Sequence, residues 1–207
     1  IYGTRISISV SFLVVILSLS VGGFLGVIAG LSKGWLGQAI LRVMDIMIAV
    51  PALLLAIIIV SLKEQPDLTG SIVAISIVYL PNFVRITRAS LLSEINKDYV
   101  KAARLDGMSQ YQLVIRTLLP NMAAPLIVQM TLAFSSAILD LAALGFIGLG
   151  AQPPTPEWGT ILSESRKYFE VAPWSATFPG LAILLAVLAT NIMGDGFRDA
   201  LDPRLKR

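Results

Sequence analysis

Two carboxylates stand out against long apolar runs: Asp140, inside the run from roughly Leu118 to Leu144, and Asp195, just beyond the run from Val171 to Gly194. Two acids sharing a proton are the core of aspartyl hydrolase chemistry, which needs the carboxyl groups about 3 Å apart. A single acid within an apolar run has other uses. Its desolvation is costly, so it faces a bundle interior, a partner chain or a polar path, or is hydrogen-bonded near an interface. Residue types exclude other chemistries. The chain has no Cys and no His, which removes thiolate and imidazole metal sites, disulfides and imidazole-based catalysis. It also lacks a Gly-x-x-x-x-Gly-Lys-Ser/Thr phosphate loop for nucleotide.

Composition sets the elements that must position these acids. Of 207 residues, 56% are hydrophobic and 14% charged, against roughly 25% charged in soluble domains. Runs of about 18 or more apolar residues cross bilayers. Five are expected: Ile6 to Leu31, about Ile40 to Leu62, about Thr69 to Leu92, about Leu118 to Leu144, and Val171 to Gly194. Arg42 and Asp45 fall at the near end of the second, and Arg85 and Arg88 at the far end of the third. Alternating loops place Lys33, Arg42, Arg85, Arg88, Lys97, Lys101, Arg104, Arg116, Arg198, Arg204, Lys206 and Arg207 on one side. Arg5, Lys63, Arg166 and Lys167 fall on the other, 12 against 4. The basic-rich side is expected to be cytoplasmic, which puts residues 98–121 and the C-terminus inside and residues 150–173 outside. The net charge of +3 is thereby a topology signal and not a nucleic-acid footprint.

Asp140 then lies about 30 Å along its span from the inner end, and Asp195 at the inner end of the last span. The two acids are expected on opposite sides of the membrane, which argues against an intramembrane aspartyl enzyme. Pro51, Pro81, Pro120, Pro125 and Pro179, with Gly22, Gly23, Gly26 and Gly30, read as close helix packing. Bent helices around a pathway are the alternative. The chain opens directly into an apolar run without signal-peptide features, and is expected to be a piece of a longer protein.

One polar stretch, "DYVKAARLDGMSQYQLVIRTLLPN" from Asp98 to Asn121, is ordered by its own residues. Asp98 suits an N-cap ahead of a helix from about Tyr99 to Asp106. Gly107 suits the left-handed position that ends it. Ser109 and Gln112 form a capping box for a second helix through Val114, Ile115 and Leu118. Leu119-Pro120 leads into the fourth span, with proline tolerated in a first turn. Tyr99, Ala102, Ala103 and Asp106 share one face. The two alanines make a flat place where another protein could dock with Tyr99 as anchor, while Lys101, Arg104 and Leu105 point elsewhere. An interfacial helix-turn lying on the membrane is the plainer reading.

The spacing of Ala102-Ala103, Gly107 and Leu119-Pro120 resembles the EAA loop of ABC importer permeases. Lys101 stands where the motif has Glu, and Thr117 where it has Ile, so a salt-bridge role for that Glu does not carry over. Tyr99 to Arg104 fits the Tyr-x-x-Ala-Ala-Arg version of peptide permeases. "AILDLAALGFIGLGAQPPTPEWGTIL" (Ala137 to Leu162) and "GDGFRDALDPRLK" (Gly194 to Lys206) are similar to the C-type permease subunits of dipeptide/oligopeptide importers, nearest the dipeptide type. The similarity covers essentially the whole chain.

This resemblance implies an all-α membrane protein with the type I ABC importer transmembrane domain over residues 1–207. Five transmembrane helices lie in this chain, and six are expected in the full protein. It implies a cytoplasmic coupling loop at 98–121, with Tyr99, Ala102, Ala103, Arg104, Asp106, Gly107, Leu119 and Pro120 docking on an ATPase subunit and carrying its movement to the pore. It implies a multi-pass subunit of the bacterial cytoplasmic (inner) membrane. The expected partners are a second homologous permease subunit, two ATP-binding subunits and an extracytoplasmic substrate-binding protein. The chain itself hydrolyses nothing and binds no cofactor, ATP-Mg residing on the partners. The cargo is a dipeptide or short peptide, with a related nickel or glutathione importer as the alternative and a stand-alone channel as a further class. Asp140 is then the candidate to line the path and receive a peptide's amino end.

In the outer segment 150–173, Thr155 and Pro156 are expected to start an amphipathic helix whose apolar face carries Trp158, Ile161, Leu162 and Phe169. It is read as an interfacial anchor. Contact with the binding protein, or an outer gate, through Glu157, Trp158 and Arg166 is the sharper alternative.

Overall fold

The computed structural model describes residues 1–32 and 34–201. Lys33, Arg204, Lys206 and Arg207 of the charge count lie outside the described residues. In chain order the elements are α1 (Tyr2–Leu31), α2 (Trp35–Ala49), α3 (Ala52–Ser61), α4 (Leu68–Glu94), α5 (Asp98–Leu105) and α6 (Gln110–Gln112). A π-helical stretch (Leu113–Leu118) follows, then α7 (Leu119–Asn121), α8 (Ala123–Phe146), α9 (Trp158–Ser165) and α10 (Trp174–Leu201). No strand is present among the described residues.

Four helices, α1, α4, α8 and α10, are each long and apolar enough to cross a membrane. The expected second span is broken. Its halves α2 and α3 meet at 97° across Val50 and Pro51, because proline supplies no N–H and disfavours helical backbone in the residue before it. Val50 accordingly takes extended backbone, with φ −94° and ψ 131°. The run reads as one span because its hydropathy continues across the break.

The broken pair still returns the chain through the bundle, as the packing of α1 on α4 requires. Ser18 Oγ donates to the Ser76 carbonyl at 3.0 Å. Further along, a Cβ added at Gly22 would stand 2.7 Å from Phe83 Cβ, and one at Gly26 2.7 Å from Thr87 Cβ. Both helices advance together, so they run parallel. The segment from Leu31 to Leu68 must therefore travel back along their length. Gly22 and Gly26 admit the α4 backbone where lipid supplies no driving force for helix association. Val14, Val15, Ala74, Ile75, Phe83 and Ala137 fill the core between α1, α4 and α8.

α4 begins where Asp67 caps it, accepting from the Gly70 N–H at 2.7 Å. The Lys63 ammonium beside it, then Thr69 and the Gly70 amide, pull the Asp67 carboxyl down to about 2. The cap consequently stays ionised through any physiological pH. α10 runs antiparallel to α8, with Gly194 against Thr131 and Ile183 buried beside Ile138 and Ala142. The C-terminal end of α10 thus lies at the end of the bundle that carries residues 98–121. Residues 150–173 occupy the opposite end with the starts of α1 and α4, where Ser7 meets Glu157 and Ser71 meets Leu149.

Candidate functional site

The insert between α4 and α8 is held by local chemistry at every corner. α5 starts one residue earlier than expected. Its N-cap is Lys97, which makes no side-chain cap bond, and Asp98 instead pairs with Lys101 at 2.9 Å as the first helical residue. Both partners of that pair are exposed, so it contributes little. At the far end Gly107 has φ +81°, the left-handed region that glycine adopts without penalty. The Met108 N–H donates to the Ala103 carbonyl at 3.2 Å, and the Gly107 N–H to the Arg104 carbonyl at 3.1 Å. Those two bonds form a Schellman closure. Directly after it, Ser109 Oγ accepts from the Gln112 N–H at 3.3 Å, and Gln112 Oε1 accepts from the Ser109 N–H at 3.0 Å, completing the capping box.

The second helix does not run straight into the fourth span. From Leu113 to Leu118 it widens to π geometry, with the Leu119 N–H reaching the Val114 carbonyl. Pro120 follows two residues later, and its ring would crowd the carbonyl four residues back in a regular α-helix. The π stretch relieves this and re-aims the chain. A further step at Met122 precedes α8, so the span begins at Ala123 and not near Leu118.

α5 buries Val100 and Ala103 against Leu113, Val114, Leu118 and Leu91. The insert is thereby packed onto the end of α4 and the root of α8. This corrects the expected docking face. Ala103 points inward, and Leu105, expected to lie off the face, is 88% exposed. Tyr99 is not a free anchor either, since its hydroxyl donates to Glu94 at the end of α4. Burial at the junction, and then that bond, push the Tyr99 phenol up to about 12, so it remains a donor at neutral pH. What α5 offers outward is Asp98, the ring of Tyr99, Lys101, Ala102, Arg104 and Leu105, with Asp106 and Gly107 exposed at the corner and Pro120 exposed at the root of α8; Leu119 is half-buried.

Asp140 faces the bundle, and its Oδ2 accepts from the Tyr79 hydroxyl at 2.6 Å. Tyr79 is buried on α4, so the acid ties α8 to α4 inside the membrane. Asp195 is exposed on α10, one residue from the Gly194–Thr131 contact. Thr131 is nine residues from Asp140, about 13 Å along α8. The acids are closer than opposite membrane faces but far too distant to share a proton. No group of three or more His, Cys, Asp or Glu residues suited to a metal occurs among the described residues.

The outer helix departs most from expectation. Its N-cap is Glu157, not Thr155. Glu157 is 1% exposed. One carboxylate oxygen accepts from Ser7 Oγ at 3.0 Å, and the other from the Thr160 N–H at 3.0 Å. Ser7 Oγ in turn accepts from the Trp158 N–H at 3.1 Å. An acid at a helix N-terminus is favoured by both cap and dipole, which makes this burial tolerable. Trp158 is 4% exposed. Glu157 and Trp158 are consequently internal fastenings of α1 to α9 and present nothing to a binding protein. Of the three residues only Arg166 is exposed, its guanidinium 5.5 Å from the centre of the Phe146 ring. Phe169 lies beyond the helix and is 62% exposed. No local signal marks this fastening: the cap bond is made to the Thr160 backbone, and Ser7 is one of five serines in the run from Ile6 to Leu31. Glu157→Ala is expected to destabilise the subunit by about 2 kcal/mol, from the lost cap and the unpaired Ser7. Thermal unfolding in detergent checks this, and a value near zero would show the network to be unimportant.

Residues 22–207 match the family described as binding-protein-dependent transport system inner membrane component. The chain is 55% identical to the di/tripeptide transport system permease protein DppC of Pseudomonas aeruginosa over 206 residues, covering 100% of this chain and 68% of that protein. It is 52% identical to the dipeptide transport system permease protein DppC of Haemophilus influenzae, covering 100% of this chain and 70% of that one. The glutathione transport system permease protein GsiD of Pectobacterium atrosepticum is 40% identical, covering 99% and 67%. Among solved structures, an inward-facing MetNI methionine ABC transporter superposes with a TM-score of 0.78 at 18% identity, over 97% of this chain and 94% of that one. That likeness concerns the fold.

Proposed function

The chain belongs to the binding-protein-dependent transport system inner membrane component family, and on that footing we propose that it forms half of the path of an ATP-driven importer for dipeptides and short peptides. The single observation that carries the coupling role is the insert of residues 98–121. Its corner is closed by the Schellman bonds at Gly107, its helices are packed onto α4 and α8, and its outer surface carries an apolar side chain, Leu105, 88% exposed. A rigid element joined to two spans moves those spans when a partner moves it. The partners are a second permease subunit, two ATP-binding subunits that hold ATP-Mg, and an extracytoplasmic binding protein. Residues 98–121 and the C-terminus lie in the cytoplasm.

Leu105→Glu tests the docking surface. Its side chain is open, so the subunit should fold and insert normally. The charged side chain should cost the complex its ATPase subunits, read as a loss of at least tenfold in co-purified ATPase. Undiminished co-purification would remove α5 from the contact. Cargo is tested with the intact assembly and its binding protein in vesicles. Labelled dipeptide uptake should require ATP and be unaffected by excess glutathione. ATP-dependent uptake of glutathione alone would overturn the peptide assignment. Asp140→Asn should reduce peptide uptake without loss of assembly, and unchanged uptake would take Asp140 out of the path.

A further inference from the structure

The surface of α4 within the membrane is not uniform. α10 exposes Leu181, Leu184, Leu185, Leu188 and Ile192, the apolar face that lipid accepts. α4 exposes Asn82 and Arg85 on one face, with Asp45 of α2 paired to Arg85. The side chains of Asp45 and Arg85 are 49% and 50% exposed. These groups fall within helices that are apolar enough to cross a membrane, and not in the loops between them. Arg85 is nine residues before the end of α4, about 13 Å along its axis, and Asp45 is four residues before the break between α2 and α3. From the sequence alone both are expected at span ends. Charges and an amide at such positions are tolerated where they face protein or water and not lipid.

A second observation points to water. Where the helix breaks, Pro51 is exposed and Val50 half-buried. Irregular backbone inside a membrane is stable only where it is buried in protein or lines an aqueous cavity. A cavity of about 180 Å³ lies at that spot, where Tyr79 and Asn82 of α4 meet Val50, Pro51 and apolar side chains such as Ile48 and Leu55 of the broken helix. Tyr79 is the same residue that holds Asp140.

We propose that this face of α4, with the broken helix opposite it, is the water-lined wall of the transport path, and that the Asp45–Arg85 ion pair is its binding element for a zwitterionic peptide. A short peptide carries one carboxylate and one ammonium. Its termini can replace the pair's internal contacts one for one, carboxylate to Arg85 and ammonium to Asp45, leaving no charge unpaired. The ligand chemistry rests on the peptide-importer reading, whereas water access along α4 does not.

No cysteine occurs in these 207 residues, so once any cysteine elsewhere in the assembly is replaced, single cysteines placed here report without background. In the assembled transporter, Asn82→Cys should react with a membrane-impermeant thiol reagent at least tenfold faster than Leu188→Cys on α10. Ala89→Cys, exposed two turns along the same face, carries the same test if Asn82→Cys does not reach the membrane. Rates equal to that of Leu188→Cys, or cross-linking to the second permease without labelling, would overturn the wall. The pair is tested by Asp45→Asn with Arg85→Gln together, which leaves neither charge unpaired. Dipeptide KM should rise at least tenfold while labelling of Asn82→Cys persists. Wild-type KM in the double variant would reduce the pair to a structural bridge. Labelling without any dipeptide uptake by the unmodified transporter would keep the wall and remove the peptide assignment.

Discussion

Gly159→Ala is expected to dislodge the outer end of the subunit, with a cost of about 3 kcal/mol or more. A Cβ at this position would stand 2.0 Å from the Ala142 carbonyl oxygen and 2.7 Å from Ala142 Cα. These are backbone atoms of α8, with no flexible side chain to turn aside, so α9 as a whole must lift. Ordinary overpacking of a core costs about 1–3 kcal/mol. Here the displacement also pulls Glu157 from Ser7 and the Thr160 N–H, and Trp158 from its buried seat. Gly180→Ala is the control. It lies in α10 with nothing within 4 Å of an added Cβ, and alanine is the better helix former by about 1 kcal/mol. Thermal unfolding in detergent should place Gly159→Ala well below wild type and Gly180→Ala at or slightly above it. Equal melting of both variants would mean that α9 is not fastened as described.

The features that were legible in the sequence are those that local chemistry decides. Ser109 with Gln112, and glycine at 107, each act on the backbone within a few residues, so the corner of the insert could be read directly. The glycines at 22, 26 and 30 announced a close helix contact by spacing, although nothing in the spacing said that the partner is α4 or that it runs parallel. Three features were hidden because a distant element sets them. The break at Pro51 lies in a run whose hydropathy continues on both sides, and proline also occurs inside α4 and α10 without such a bend. Which face of α5 turns inward depends on Leu91 and Leu113, which meet it from other helices. Glu157 reads as a surface acid beside a proline-rich turn, and only Ser7, 150 residues away in sequence, gives it a buried place.

Gly107→Val is expected to leave a folded, membrane-inserted subunit that no longer transmits force. Nothing lies within 4 Å of a Cβ at this position, so the substitution makes no clash. Its cost is conformational: φ of +81° is strained for any residue with a Cβ by about 1–2 kcal/mol, and most for a β-branched one. The chain can escape that strain by abandoning the bonds from Gly107 and Met108 to Arg104 and Ala103, which frees the C-terminal end of α5. Val100 and Ala103 still hold α5 against the π stretch, so insertion and assembly should survive while the corner softens. Peptide uptake and peptide-stimulated ATP hydrolysis should fall at least tenfold. Gly107→Asn is the decisive companion, because asparagine tolerates left-handed backbone while adding a side chain of similar bulk. Activity that follows the order Gly, Asn, Ala, Val tracks backbone cost and supports a rigid corner. If Asn and Val were equally inactive, side-chain bulk against a partner would be the cause. Full uptake in Gly107→Val would show that force reaches the spans by another route.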